Sequence, residues 1–224
     1  MKPAPLAVAG DPGVRGVWHP ASGPDGLVLT HGAGGNMDTP LLIAVAEAFV
    51  AVGVSVLRCT LPYRQRRATG PPTPHDAARD RAGLAAALAV VRERLSGRLF
   101  IGGHSYGGRM ASMLMAEQPT LAAALLLQSY PLHPPGQPTA LRIDHWPRIR
   151  VPTLFVHGTA DPFATAAELE AARALIPTAT AVLAVAAGHD LGWGSKNRPR
   201  DLPDRIATAF LAHITPRQGA GTGG

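Results

Sequence analysis

The residue types best suited to chemistry in this chain are a serine, an aspartate and a histidine that each follow an apolar run. Ser105 lies in Gly103-His104-Ser105-Tyr106-Gly107, Asp161 in His157-Gly158-Thr159-Ala160-Asp161-Pro162, and His189 in Gly188-His189-Asp190. A serine hydroxyl is a weak nucleophile at neutral pH, so it needs an imidazole to accept its proton. The imidazole must be held in one tautomer, which a carboxylate does. Together the three can attack a carbonyl and form a covalent acyl intermediate. Charge that develops on the carbonyl oxygen then needs backbone N–H donors. We expect those donors at Tyr106, at the start of a helix, and at Ala33 in the glycine-rich run His31-Gly32-Ala33-Gly34-Gly35.

Such residues work only if the fold brings them to one edge. Leu27-Val28-Leu29-Thr30 reads as a buried strand that runs into the glycine-rich loop. Asp38 or Thr39 can cap the next helix, with Pro40 in its first turn and Gly53 at its end. Val54 to Cys59 predicts a second strand, Leu61 to Pro74 a loop dense in Pro, Gly and Arg, and His75 to Leu95 a long helix. Leu99-Phe100-Ile101 predicts a third strand and Gly108 to Glu117 a helix. Further strands are expected at Ala123–Leu127, Thr153–Val156 and Ala181–Val185, with helices at Ala164–Leu175 and Asp201–His213. Strands apolar on both faces that alternate with helices imply a parallel sheet covered on both sides. Sites in such sheets form at the carboxyl ends of strands. The chain order Ser, Asp, His at strand ends is the order of an α/β-hydrolase fold.

Each residue has a plainer reading when taken alone. Asp161 can be a helix cap, His189 a surface histidine, and a GxSxG run an ordinary glycine turn. Their joint placement carries the argument. Asp190 is expected to serve its own loop, His104 to point into neighbouring packing, and His31 to brace the glycine-rich loop. Cys59 reads as a small buried residue. Neither Cys59 nor any of His19, His75, His133, His145 and His213 shows ligand-like spacing, so no metal or other cofactor is expected. Tyr63 and Arg64, after the second strand, are candidate substrate contacts. Arg64 or Arg66 suits an anionic group, because guanidinium forms bidentate pairs with carboxylate and phosphate.

Composition narrows the classes. The 224 residues suit one domain, expected over residues 1–215, with a flexible glycine-rich tail at 216–224. Charged residues are 16% and hydrophobic residues 46%, which is globular rather than disordered. The net charge of +6 is carried by scattered arginines, and 5% aromatic residues leave no base-stacking platform, so nucleic acid is not expected as a partner. The first ten residues lack a signal-peptide pattern, and no apolar run reaches membrane-helix length. A cytoplasmic monomer or homodimer is the expectation.

Several segments together resemble one branch of the α/β-hydrolase superfamily. These are His31 to Met37, Leu61-Pro62-Tyr63-Arg64, Gly102 to Arg109, Tyr130-Pro131-Leu132-His133-Pro134-Pro135-Gly136, and His157 to Phe163. The chain is similar to small, capless, dienelactone-hydrolase-like bacterial proteins. These are related to the hydrolase-like domains of a testis-expressed protein and of a subunit of the NSL histone-acetyltransferase complex. The resemblance runs from about Leu27 to His213. It implies the triad Ser105, Asp161 and His189 but no particular substrate. The proline-rich stretch from Pro131 to Arg150 is too short for a cap domain and predicts an open site. The leading expectation is a serine hydrolase of a small ester, thioester or lactone. A catalytically silent binding module is the alternative. Peptide hydrolysis ranks lower for want of enclosure.

Overall fold

The computed structural model describes residues 2–215, so the expected tail at 216–224 lies outside the described residues. In chain order the strands are β1 (Ala4–Val8), β2 (Val14–His19), β3 (Gly26–Thr30), β4 (Ser55–Cys59), β5 (Leu99–His104), β6 (Ala124–Gln128), β7 (Thr153–Gly158) and β8 (Thr180–Val185). The helices are α1 (Pro40–Ala51), α2 (Pro62–Arg66), α3 (Asp76–Arg92), α4 (Tyr106–Glu117), α5 (Ala166–Arg173) and α6 (Leu202–Ile214). The eight strands form one sheet in the order β1-β2-β4-β3-β5-β6-β7-β8. The pairs from β4 through β8 are parallel, and β1 and β2 join antiparallel at one edge.

The central strands have no polar face, and every residue of β3, β4 and β6 is buried. Side chains alternate between two cores, as the period of a strand requires. Leu27, Leu29, Phe100 and Leu126 meet α1 and α6, where Phe210 packs edge-on against Phe49 and Phe100 at 5.6 and 5.3 Å. Val28, Ile101, Leu125 and Leu127 meet α3 and α4 through Leu84, Leu88 and Met110. Parallel neighbours require crossovers, and these helices are the crossovers that cover both faces.

The structure adds elements that the residue pattern did not disclose. β1 and β2 are absent from the expected list: β1 is almost wholly exposed, and β2 carries Arg15 and Gly16. An edge hairpin needs only a weak one-sided pattern, which flanking Gly and Pro obscure. α2 forms inside the segment expected to be loop, started by Pro62 at its first turn. α3 stops at Arg92 rather than Leu95, because Gly97 donates its N–H to Pro24 and turns the chain. α5 starts at Ala166, set by a capping box between Thr165 and Glu168. β8 is partly exposed rather than apolar on both faces, as an edge strand permits.

Between β6 and β7 the chain forms only a 3-10 turn at Trp146–Arg148, so no cap domain covers the sheet edge. Trp146 is fully buried there, against Tyr130 at 5.0 Å and Phe155 at 5.3 Å. No helix among the described residues is long and apolar enough to cross a membrane.

Candidate active site

Ser105 occupies the junction of β5 and α4. Its backbone has φ 50° and ψ −117°, a strained conformation for a residue with a side chain. The helix begins at Tyr106, two residues earlier than the pattern suggested, so Ser105 is itself the N-cap. Close packing holds the turn. A Cβ on Gly103 would lie 2.8 Å from the Gly107 carbonyl carbon, and one on Gly107 would lie 2.5 Å from the His31 oxygen. Larger residues at either place would push the turn off the sheet. The Ser105 N–H donates to the Gln128 carbonyl at 2.8 Å, which ties the turn to β6.

The fold brings Ser105, His189 and Asp161 into one line. His189 Nε2 stands 2.8 Å from Ser105 Oγ, and His189 Nδ1 stands 2.8 Å from Asp161 Oδ2. The Asp161 side chain is wholly buried, while the His189 side chain keeps 22% exposure toward the open side. Asp161 Oδ1 accepts the Phe163 N–H at 2.9 Å, which fixes the carboxylate plane. The Phe163 ring lies over the imidazole at 4.3 Å between centroids. Phe163 had no assigned role in the sequence reading, although it stands two residues beyond Asp161.

The neighbouring histidines brace rather than compete. His104 points its Nε2 at the His189 carbonyl, 2.9 Å away, and so steadies the loop that carries His189. Burial holds His104 down at about 4, so it is neutral and donates this bond. His31 Nδ1 lies 2.8 Å from the Gly32 carbonyl, and its Nε2 accepts the Leu61 N–H at 3.2 Å. That pairing needs the neutral ring, and burial lowers its pKa to about 4. Asp190 accepts the N–H groups of Gly192 and Gly194 and serves its own loop. Cys59 is buried, and burial pushes its thiol up to about 12, so no thiolate forms near neutral pH.

Ala33 and Tyr106 flank Ser105 in one cleft of about 500 Å³, which Thr73, Arg109, Pro131, Arg142 and Phe163 also line. Neither N–H donates to a backbone carbonyl among the described residues outside regular helix and strand pairing.

Tyr63 and Arg64 do a different job from the substrate contact expected of them. Tyr63 is fully buried, and its hydroxyl donates to the Ala33 carbonyl at 2.8 Å. Arg64 spends its guanidinium on carbonyls: Nε on Gly35, one terminal nitrogen on Arg67 and Ala68, the other on Ala33 and Gly70. With all five N–H groups engaged, Arg64 has no free donor for an anion. Arg66 and Arg67 are likewise paired, with Asp76. The Tyr63 and Arg64 side chains clamp the glycine-rich loop by its carbonyls. Asp80, which the sequence reading passed over, completes the clamp. It accepts the Tyr63 N–H at 2.9 Å and the Tyr106 hydroxyl at 2.8 Å. Burial raises its carboxyl above the usual range despite these bonds. Its signal was faint: a carboxylate among the alanines of α3, one turn beyond Asp76.

Arg64→Met should therefore lower kcat by roughly 10²-fold, the size of effect seen when a carbonyl-oxygen donor is lost. Neutral and carboxylate-bearing esters should suffer equally. Steady-state kinetics on both check this, and a selective loss on the charged ester would show that Arg64 contacts substrate.

Four histidines, three buried and His104 half-buried, give stability a definite pH dependence. His19, His31, His104 and His145 are each lowered to about 4, chiefly by burial. The unfolded chain takes up these protons near pH 6.5, and the folded chain only near 4. Stability is thus full above about 6.5 and lost as pH falls toward 4, at about 1.4 kcal/mol per pH unit for each histidine. The urea midpoint should drop steeply between pH 7 and pH 5. An unchanged midpoint would contradict neutral burial of these rings.

No group of three or more His, Cys, Asp or Glu among the described residues is placed to hold a metal ion.

A serine turn at the carboxyl edge of a mostly parallel sheet, with helices on both faces, defines the α/β-hydrolase fold. A family profile described as an alpha/beta hydrolase domain matches residues 24–213, and the chain belongs to that family. Its fold is similar to Est1E from Butyrivibrio proteoclasticus, at TM-score 0.75 and 14% identity over 94% of this chain and 98% of that one. It is similar to a dienelactone hydrolase from Anabaena variabilis, at 0.71 and 21% over 96% and 100%. A serine hydrolase without a lid from Xanthomonas campestris matches at 0.74 and 16%, over 95% of each chain.

Proposed function

We propose that this protein is a serine hydrolase that cleaves a small carboxylic ester, thioester or lactone through an acyl-enzyme at Ser105. The observation that carries the reading is the line of two 2.8 Å contacts from buried Asp161 through His189 to Ser105, which ends in an open cleft. In this reading His189 Nε2 takes the Ser105 proton as Oγ attacks the carbonyl carbon. The carbonyl oxygen becomes an oxyanion held by the N–H groups of Tyr106 and Ala33. The C–O or C–S bond then breaks, and His189 returns its proton to the leaving group. A water molecule, deprotonated by His189, attacks the acyl carbon and releases the acid. Asp161 keeps the proton on Nδ1, so that Nε2 presents its lone pair. The dienelactone hydrolase among the structures of similar fold supports an ester or lactone over an amide.

A fluorophosphonate probe tests the reading. We expect labelling that maps to the Ser105 peptide, with a burst of p-nitrophenol from p-nitrophenyl butyrate. Absence of both labelling and turnover would assign the fold to a binding role.

A further inference from the structure

Two arginines face the cleft that holds Ser105, and neither has an anionic partner. Arg109 lies on α4, one turn beyond Ser105, and Arg142 on the stretch between β6 and β7. Elsewhere the arginines are largely engaged: Arg66 and Arg67 with Asp76, Arg98 with Asp25, Arg173 with Glu170, and Arg64 with carbonyls. The Nε of Arg109 is buried without a hydrogen-bond partner. Among the described residues no carboxylate pairs with Arg109 or Arg142, and no Asp or Glu lines the cleft. That nitrogen is out of reach of a ligand, so an anion in the cleft would be met by the outer nitrogens of the guanidinium. Burial and the neighbouring Arg109 charge both press the Arg142 pKa downward, which an added anion would relieve.

Arg142 is also held in place in advance. Its N–H donates to the Leu132 carbonyl at 2.8 Å, and its own carbonyl accepts the Tyr130 hydroxyl at 2.6 Å. The Arg109 N–H donates to the Ser105 carbonyl at 3.0 Å, so its backbone is tied to the nucleophile turn. A pair of cations carried on fixed backbone beside a nucleophile selects a substrate by charge as well as shape.

We propose that Arg109 and Arg142 form an anion subsite of the cleft, and that the substrate is an ester carrying a carboxylate within a few bonds of the scissile carbonyl. This rests on the hydrolase reading only for where the scissile bond lies. The test compares p-nitrophenyl hydrogen glutarate with its methyl-capped neutral counterpart, by p-nitrophenol release. In the wild-type protein kcat/KM should favour the charged ester by roughly tenfold or more, the scale of one charge-assisted hydrogen bond. The preference should shrink in 1 M salt. It should fall toward unity in the double variant Arg109→Gln, Arg142→Gln, and Arg142→Lys should retain much of it. Calorimetry of both esters with Ser105→Ala reads the subsite independently of turnover, and the charged ester should bind about tenfold more tightly. Carboxylate-selective binding without any turnover would fell the hydrolase reading and leave the subsite standing. Equal kcat/KM and equal binding for the two esters would overturn the subsite. An unchanged ratio in the double variant, with both esters losing alike, would overturn it as well.

Discussion

Ser105→Ala should lower kcat on p-nitrophenyl butyrate by on the order of 10⁶-fold, the loss typical when the nucleophile of such a triad is removed. Ser105 Oγ stands at the end of the line from Asp161 through His189, 2.8 Å from His189 Nε2. The neighbouring hydroxyls and the thiol are disposed otherwise, and the Thr73 hydroxyl in the same cleft donates to Asp76. Cys59 is buried and its thiol is pushed up to about 12. Ser129 is fully buried at the end of β6. The Tyr106 hydroxyl is committed to Asp80. Fluorophosphonate labelling should vanish with activity, and the thermal midpoint should stay near that of the parent, because Oγ makes no bond that supports the turn. Retention of even a hundredth of the parent activity, with contamination excluded, would place the nucleophile elsewhere.

Asp161→Asn should cost about 10⁴-fold in kcat, a loss of the kind caused by the wrong imidazole tautomer. The surroundings of Asp161 show why the substitution acts in this direction. The Phe163 N–H donates to Oδ1, so it holds the amide oxygen of an asparagine in that position. The amide NH₂ then faces His189 Nδ1, where Oδ2 stood before. Two donors cannot meet, so the ring must carry its proton on Nε2. That proton points at Ser105 Oγ in place of the lone pair that should accept from it. Single-turnover kinetics should show slow acylation with the fold intact by circular dichroism. A loss below tenfold would mean that the carboxylate merely caps its loop, the plainer role that Pro162 and the following helix also suggest.

The anion question shows how far residue patterns reach. The cluster Tyr63-Arg64-Gln65-Arg66-Arg67 pointed to an anion contact, and its position after β4 does lie at the correct edge of the sheet. In sequence a guanidinium reads the same whether it meets solvent, carboxylates or carbonyls. Arg64 turned out to have five N–H groups on backbone oxygens. Arg109, in the first turn of α4, and Arg142, within the proline-rich stretch, line the cleft instead. The same limit hid Asp80 and Phe163, whose importance lies in what they touch.

By itself the amino-acid order determined the central parallel sheet, and it singled out Ser105, Asp161 and His189, which stand in hydrogen-bond reach at one edge of that sheet. Those features depend on local apolar periodicity, on glycines that permit a tight turn, and on the rule that loops after parallel strands share one edge. Only the tertiary structure decided the β1–β2 hairpin, the clamp of Tyr63, Arg64 and Asp80 on the glycine-rich loop, and the choice of cleft-facing arginines. Each of these depends on partners tens of residues apart, Arg64 with Ala33 for one. Hydrogen bonds of that kind leave no period in the chain.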